Sequence, residues 1–184
     1  MKILVSDDVS EKGVELLRQH GYEVDVKTNL DEQGLIDCIG EYDGMVTRSM
    51  THVTAKVIAA GKKLKVIGRA GVGVDSIDIK AATARGIIVV NAPTANTIAA
   101  TEHTCAMIMA ITRHIPQAHN SLMAGEWDRE RFTGIQLQNK TIGIIGVGRI
   151  GSRIAKRMQA MEMHTIGYDP YIPDERFEQL VRNI

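Results

Sequence analysis

Short β-rich apolar runs recur along this chain at roughly twenty-residue spacing, each followed by a segment of helical periodicity. A strand joined to its neighbour through a helix must pair with it in parallel, so the alternation commits the chain to an α/β fold. Strands are expected at residues 2–5, 22–26, 44–47, 64–67 and 87–90, with Tyr22, Val24 and Val26 sharing one face of the second. Helices are expected at about 10–20, through Leu35, Ile36 and Ile39 up to Gly40, through Val57 and Ile58 up to Gly61, and at 79–85. Gly21 and Gly86 stand just past helix ends, where a left-handed residue closes the last turn.

The pattern changes after Pro93. Asn96 can cap a much longer helix running to about Arg113, Pro116 breaks or kinks it, and a second helical stretch reaches Met123 before Gly125. Residues 126–138 are polar and aperiodic, a loop with Trp127 and Phe132 as its anchors. A new β-α-β unit follows, with strands at 141–145 and 164–168 and a helix from Arg149 to about Met161. The last ten residues read as a short, partly frayed helix. Small residues and methionines in the long helix suit either core packing or a subunit interface.

Composition narrows the class of protein. The 184 residues carry 22 Lys+Arg against 22 Asp+Glu, so the long-range positive field of a nucleic-acid binder is missing. The N-terminus turns acidic at Asp7 and Asp8 too soon for a signal peptide, and no apolar run is long enough for a membrane span. A soluble, cytoplasmic protein is expected. Cys38 and Cys105 fall inside helices without metal-ligand spacing and read as free thiols; no metal site is expected.

Gly146-Val147-Gly148-Arg149-Ile150-Gly151 lies between a strand and a helix, and Asp169 ends the next strand 23 positions after Gly146. Gly146 allows the tight turn, Gly148 lets a pyrophosphate approach the backbone, and Gly151 lets helix and strand pack closely. Unpaired N–H groups at the helix start favour phosphate. Asp169 is placed to accept hydrogen bonds from a ribose diol and to repel a 2′-phosphate, which selects NAD over NADP. Arg149 is either a phosphate contact or a solvated side chain.

Two further segments sit at strand ends, where ligands gather in open parallel sheets. Arg69-Ala70-Gly71-Val72-Gly73-Val74-Asp75 forms either a nest-like anion site or merely a tight connection. Thr47-Arg48-Ser49 forms a second anion-competent loop or an ordinary surface turn. Together with Val90-Asn91-Ala92-Pro93, Asn96, Glu102 and the glycine-rich turn, this ordered set resembles the NAD-dependent D-2-hydroxyacid dehydrogenases along essentially the whole chain.

That resemblance implies a flavodoxin-like parallel-sheet substrate domain over residues 1–93, lacking its C-terminal return, then connecting helices and the first half of a Rossmann NAD-binding domain over 94–184. It implies that Arg48, Ser49, Val72, Gly73 and Asn96 line the site of a phosphorylated 2-hydroxy acid. Val72 would also approach the nicotinamide end of NAD, while Gly146, Gly148, Arg149, Ile150, Gly151 and Asp169 would hold its pyrophosphate and ribose. The family often has Thr where Val72 stands, so a side-chain contact is lost and the backbone contact survives. A homodimer or higher homo-oligomer is implied, with Arg129 and Arg131 of the 127–132 loop reaching toward the neighbouring subunit.

The family's carboxylate-gripping arginine and its glutamate-histidine acid-base pair lie further downstream, and nothing in this chain matches them. The expectation is therefore an N-terminal portion with no catalytic residue of its own and little or no turnover alone. An enzyme of the same family acting on an unphosphorylated acid such as glyoxylate or hydroxypyruvate, and a non-catalytic NAD-sensing module, remain as alternatives.

Overall fold

The computed structural model describes residues 1–173 and Glu175, and the expected helix over the last ten residues lies outside these apart from Glu175. The chain divides into two compact units, Met1–Ala95 and Asn96–Ile184.

The first unit begins with β1 (Lys2–Val5), α1 (Glu11–Gln19), β2 (Glu23–Val26), α2 (Glu32–Ile39) and β3 (Gly44–Thr47). It continues with α3 (Ala55–Ala60), β4 (Val66–Arg69), α4 (Ile79–Ala84) and β5 (Ile88–Asn91). The five strands pair entirely in parallel in the order β2-β1-β3-β4-β5, the flavodoxin-like order. Alternation along the strands serves two layers. Leu4, Met45 and Ile67 point into a core closed by Leu35 and Ile39 of α2, Val57 and Ile58 of α3 and Ala82 of α4. Ile3, Val5 and Val24 point the other way and meet Val14 of α1. Asp31, Thr54 and Asp78 cap α2, α3 and α4 by accepting from the N–H groups of Gly34, Val57 and Ala81.

Three sequence expectations for this unit are corrected. In β2, Val24 alone is buried, because the strand is the edge of the sheet; Val26 is 49% exposed and Tyr22 precedes the strand. The fourth and fifth strands start later than their apolar runs. Leu64 and Ile87 are buried from turn positions, Leu64 donating to Gly61 O and Ile87 to Ala82 O, while pairing begins at Val66 and Ile88. Arg69 is thus the last residue of a strand, not the first of a loop.

The second unit comprises α5 (Thr97–Thr112), α6 (Ile115–Met123), β6 (Thr141–Ile145), α7 (Gly151–Ala160) and β7 (His164–Tyr168), with β6 and β7 paired in parallel. Ile154 and Met158 of α7 pack with Leu137 and Met163, joined by Cys105, Ile108 and Met109 of α5. The break after α5 is made by His114, whose φ of 53° is left-handed, and Pro116 merely occupies the first turn of α6. Trp127 is 76% exposed, so it is not the buried anchor expected of it, whereas Phe132 is half-buried. α7 starts at Gly151, so Arg149 precedes the helix and Ile150 caps it.

Helices α1, α4, α6 and α7 end alike. The N–H of the residue after the cap and that of its successor fold back onto carbonyls of the last turn: Gly21 and Tyr22 in α1, Gly86 and Ile87 in α4, Gly125 and Glu126 in α6, Glu162 and Met163 in α7. The left-handed residue is glycine in three of these and Glu162, with φ 60°, in the fourth. Since Val24 is buried and Val26 is not, Val24→Ala is expected to lower unfolding free energy by about 2 kcal/mol. Val26→Ala is expected to change it by less than about 0.5 kcal/mol. Urea titration followed by far-ultraviolet circular dichroism distinguishes the two.

Candidate functional site

All five strands of the first unit deliver their carboxyl ends to one edge, and a carboxylate that sequence reasoning passed over organises it. Asp7, two residues past β1, is 5% exposed. Its Oδ1 accepts from the Thr51 hydroxyl at 2.7 Å, and its Oδ2 accepts from the Arg48 N–H at 2.5 Å, the Thr47 hydroxyl at 3.2 Å and the Thr51 N–H at 3.3 Å. Burial pushes this carboxyl upward, but the bonds from Thr51, Arg48 and Thr47 together outweigh it and hold the carboxyl below its usual value. The 47–51 loop is thereby fastened to the end of β1, leaving the side chains of Arg48 and Ser49 exposed at the rim.

The neighbouring 69–75 loop is fixed on both sides. Ala70 N–H donates to Thr47 O at 2.8 Å, Ala92 N–H to Gly71 O at 2.9 Å, and the Asn91 side chain to Val72 O at 2.6 Å. Neither Gly71 nor Gly73 has a positive φ, so the loop lacks the alternating-handed geometry of a nest. A Cβ on Gly71 would fall 1.6 Å from Arg69 Nη1, and one on Gly73 2.5 Å from Asp75 Oδ1, in each case the end of a side chain that can turn aside. The N–H groups of Val72, Gly73 and Val74 have no acceptor among the described residues. Arg48, Ser49, Val72 and Gly73 therefore come together on one edge, with three backbone donors unspent.

Asn96 stands at the N-cap of α5 but its side chain does not cap the helix, which leaves an exposed amide. In the glycine-rich turn, Gly146 has φ 89° and its N–H donates to Tyr168 O at 2.7 Å, tying the turn to the end of β7. A Cβ on Gly151 would lie 2.0 Å from Gly146 O, so only glycine lets α7 start this close to β6. A Cβ on Gly148 would meet nothing within 4 Å, which leaves that side of the turn open to a ligand. The N–H groups of Gly148, Ile150 and Gly151 have no acceptor among the described residues. The Ile150 side chain packs into the local core, so its backbone alone faces outward chemistry. Arg149 is exposed beside it. Half-buried Asp169 accepts from Val147 N–H at 2.9 Å through Oδ2 and from Tyr171 N–H at 3.0 Å through Oδ1. Backbone donors without partners, a helix start and an adjacent carboxylate match a dinucleotide's pyrophosphate and ribose.

The D-isomer specific 2-hydroxyacid dehydrogenase catalytic-domain model matches residues 3–171, and the chain belongs to that family. Among relatives, the D-3-phosphoglycerate dehydrogenase of Archaeoglobus fulgidus is 51% identical over 98% of this chain and 34% of its own length. That of Methanocaldococcus jannaschii is 53% identical over 98% of this chain and again 34% of its own length. The chain thus spans about a third of these relatives' length. Among solved structures, the NAD+-bound 3-phosphoglycerate dehydrogenase of Entamoeba histolytica superposes with TM-score 0.76 at 30% identity, over 98% of this chain and 59% of that one.

Two outcomes follow. Gly151→Ala is expected to cost about 3 kcal/mol of stability through overpacking, read by thermal unfolding. The depressed Asp7 carboxyl contributes stability that is present above its unfolded pKa and lost as pH falls through its folded one. Asp7→Asn should therefore lower stability at neutral pH by about 3 kcal/mol through its lost acceptors and flatten the loss on acidification, measured by urea unfolding across pH.

Proposed function

We propose that the protein carrying this chain oxidises the 2-hydroxyl of 3-phospho-D-glycerate with NAD, giving 3-phosphooxypyruvate. The reading rests on the glycine-rich turn, whose three unspent N–H donors flank an open approach beside Asp169, in a chain about half identical to D-3-phosphoglycerate dehydrogenases. When bound, the cofactor supplies the hydride acceptor at C4 of its nicotinamide. Gly146, Gly148, Arg149, Ile150, Gly151 and Asp169 are assigned to pyrophosphate and ribose, and Val72 to the nicotinamide end. Arg48, Ser49, Val72, Gly73 and Asn96 are assigned to the substrate, the free N–H groups of Val72 and Gly73 serving its carboxylate. We take residues 1–93 as substrate domain and 94–184 as connecting helices and cofactor half-domain. A cytoplasmic homodimer completes the proposal, supported by the apolar surface of the second unit, where Ile111 is 71% and Met123 74% exposed.

Acid-base chemistry is assigned outside this chain. Among the described residues no histidine bonds to a carboxylate, as a proton-transferring pair requires. The 184-residue chain alone should form no NADH from 3-phospho-D-glycerate, and turnover would locate the acid-base group within it. In the complete protein, the phosphorylated acid should be oxidised about a hundredfold more efficiently than unphosphorylated glycerate. Equal rates would instead support an enzyme for a simpler 2-hydroxy acid. Titrations followed by Trp127 fluorescence should show NAD bound at least about tenfold more tightly than NADP, with Asp169→Ala abolishing the difference. Unchanged NAD affinity in that variant would remove the ribose role.

A further inference from the structure

Glu162 occupies a left-handed position that the same helix-ending motif gives to glycine in α1, α4 and α6. A side chain there strains the backbone, and residues held so cluster at ligand sites. The Glu162 carboxylate is engaged: Gln138 Nε2 donates to its Oε2, while Gln136 Nε2 donates to Gln138 Oε1 at 2.8 Å. It also lines a cavity of about 350 Å³ within the second unit, between the ends of α5 and α7 and the strand of loop before β6.

Arg113, just past the end of α5, lines the same cavity. Gly134 packs directly on its backbone, where a Cβ would lie 2.4 Å from Thr112 O and 2.9 Å from Arg113 Cα, so the cation's base is held in place. The Arg113 guanidinium has no hydrogen-bond or ion-pair partner among the described residues, and the Oε1 of Glu162 has none either. Met109, Leu137 and Met161 supply an apolar wall. The cavity stands apart from the glycine-rich turn: it adjoins the residues that enter β6 and β7, whereas the turn follows the exit of β6.

Arg113 and Glu162, both exposed, line the same small space, and one cation with one anion there sets the ligand's charge. A carboxylate alone would be repelled by Glu162, an amine alone by Arg113, and an apolar molecule would strip water from both without replacing it. A zwitterion satisfies each charge with its opposite. We propose that this cavity binds a free α-amino acid with an apolar side chain, its carboxylate on Arg113, its ammonium on Glu162 and its side chain against Met109, Leu137 and Met161. The volume lies in the range of small-molecule sites.

The test uses 13C-methyl methionine spectra of the complete protein titrated with L-leucine. The Met109 and Met161 signals, assigned by Met→Leu substitution, should shift saturably at millimolar concentration. Isovalerate and isoamylamine, which each carry one of the two charges, should need at least tenfold higher concentration, as should L-leucine with Arg113→Gln. Glu162→Gly separates binding from folding, since glycine suits the left-handed position: its melting temperature should equal or exceed that of the parent while L-leucine affinity falls at least tenfold. Overturning results are no shift with L-leucine, equal binding of either single-charge analogue, or retained affinity in either variant. Shifts that follow protein concentration without any amino acid would make the cavity a contact between copies, and would also overturn the proposal.

Discussion

Parallel pairing sends every strand of the five-stranded sheet out through one edge, and the connections leaving that edge carry peptide groups no ladder can satisfy. Asp7 meets this constraint for one of them. Its two oxygens gather the hydroxyls of Thr47 and Thr51 and two N–H groups of the loop between them, so the end of β3 is shaped by a residue of β1's own connection. The next loop is then held by Thr47 on one flank and Asn91 with Ala92 on the other. The N–H groups of Val72, Gly73 and Val74 are therefore presented by a loop whose flanks at Thr47, Asn91 and Ala92 are already tied down.

Sequence showed most of this fold because hydrophobic periodicity reports burial, and in a parallel sheet burial and pairing nearly coincide. The first and third strands, and both strands of the second unit, fall where their apolar runs do. They part company at Leu64 and Ile87, which are buried from turns and drew the fourth and fifth strands too early. His114 was invisible for another reason: a left-handed histidine has no compositional mark, and Pro116 nearby offered a more familiar cause for the break.

The site divides in the same way. The glycine-rich turn was legible because steric demands leave glycine no substitute: Gly151 has no room for a methyl group and Gly146 holds a positive φ. Asp7 was not, since its partners lie 40 to 44 residues away and an aspartate after a strand looks like solvated punctuation. The loop at Gly71 and Gly73 was half legible. Its glycines have no positive φ and lie beneath the movable ends of Arg69 and Asp75, so neither handedness nor space singles them out.

Asp169 carries one more consequence. Each of its oxygens is already aimed by a backbone N–H, one from the turn and one from the chain just beyond. A carboxylate oxygen has lone pairs to spare after one such bond, so the group remains an acceptor while losing its freedom to rotate. The ordering entropy that a loose aspartate would surrender on binding is surrendered here during folding, so the ribose role proposed for it would fall to an acceptor already fixed in place.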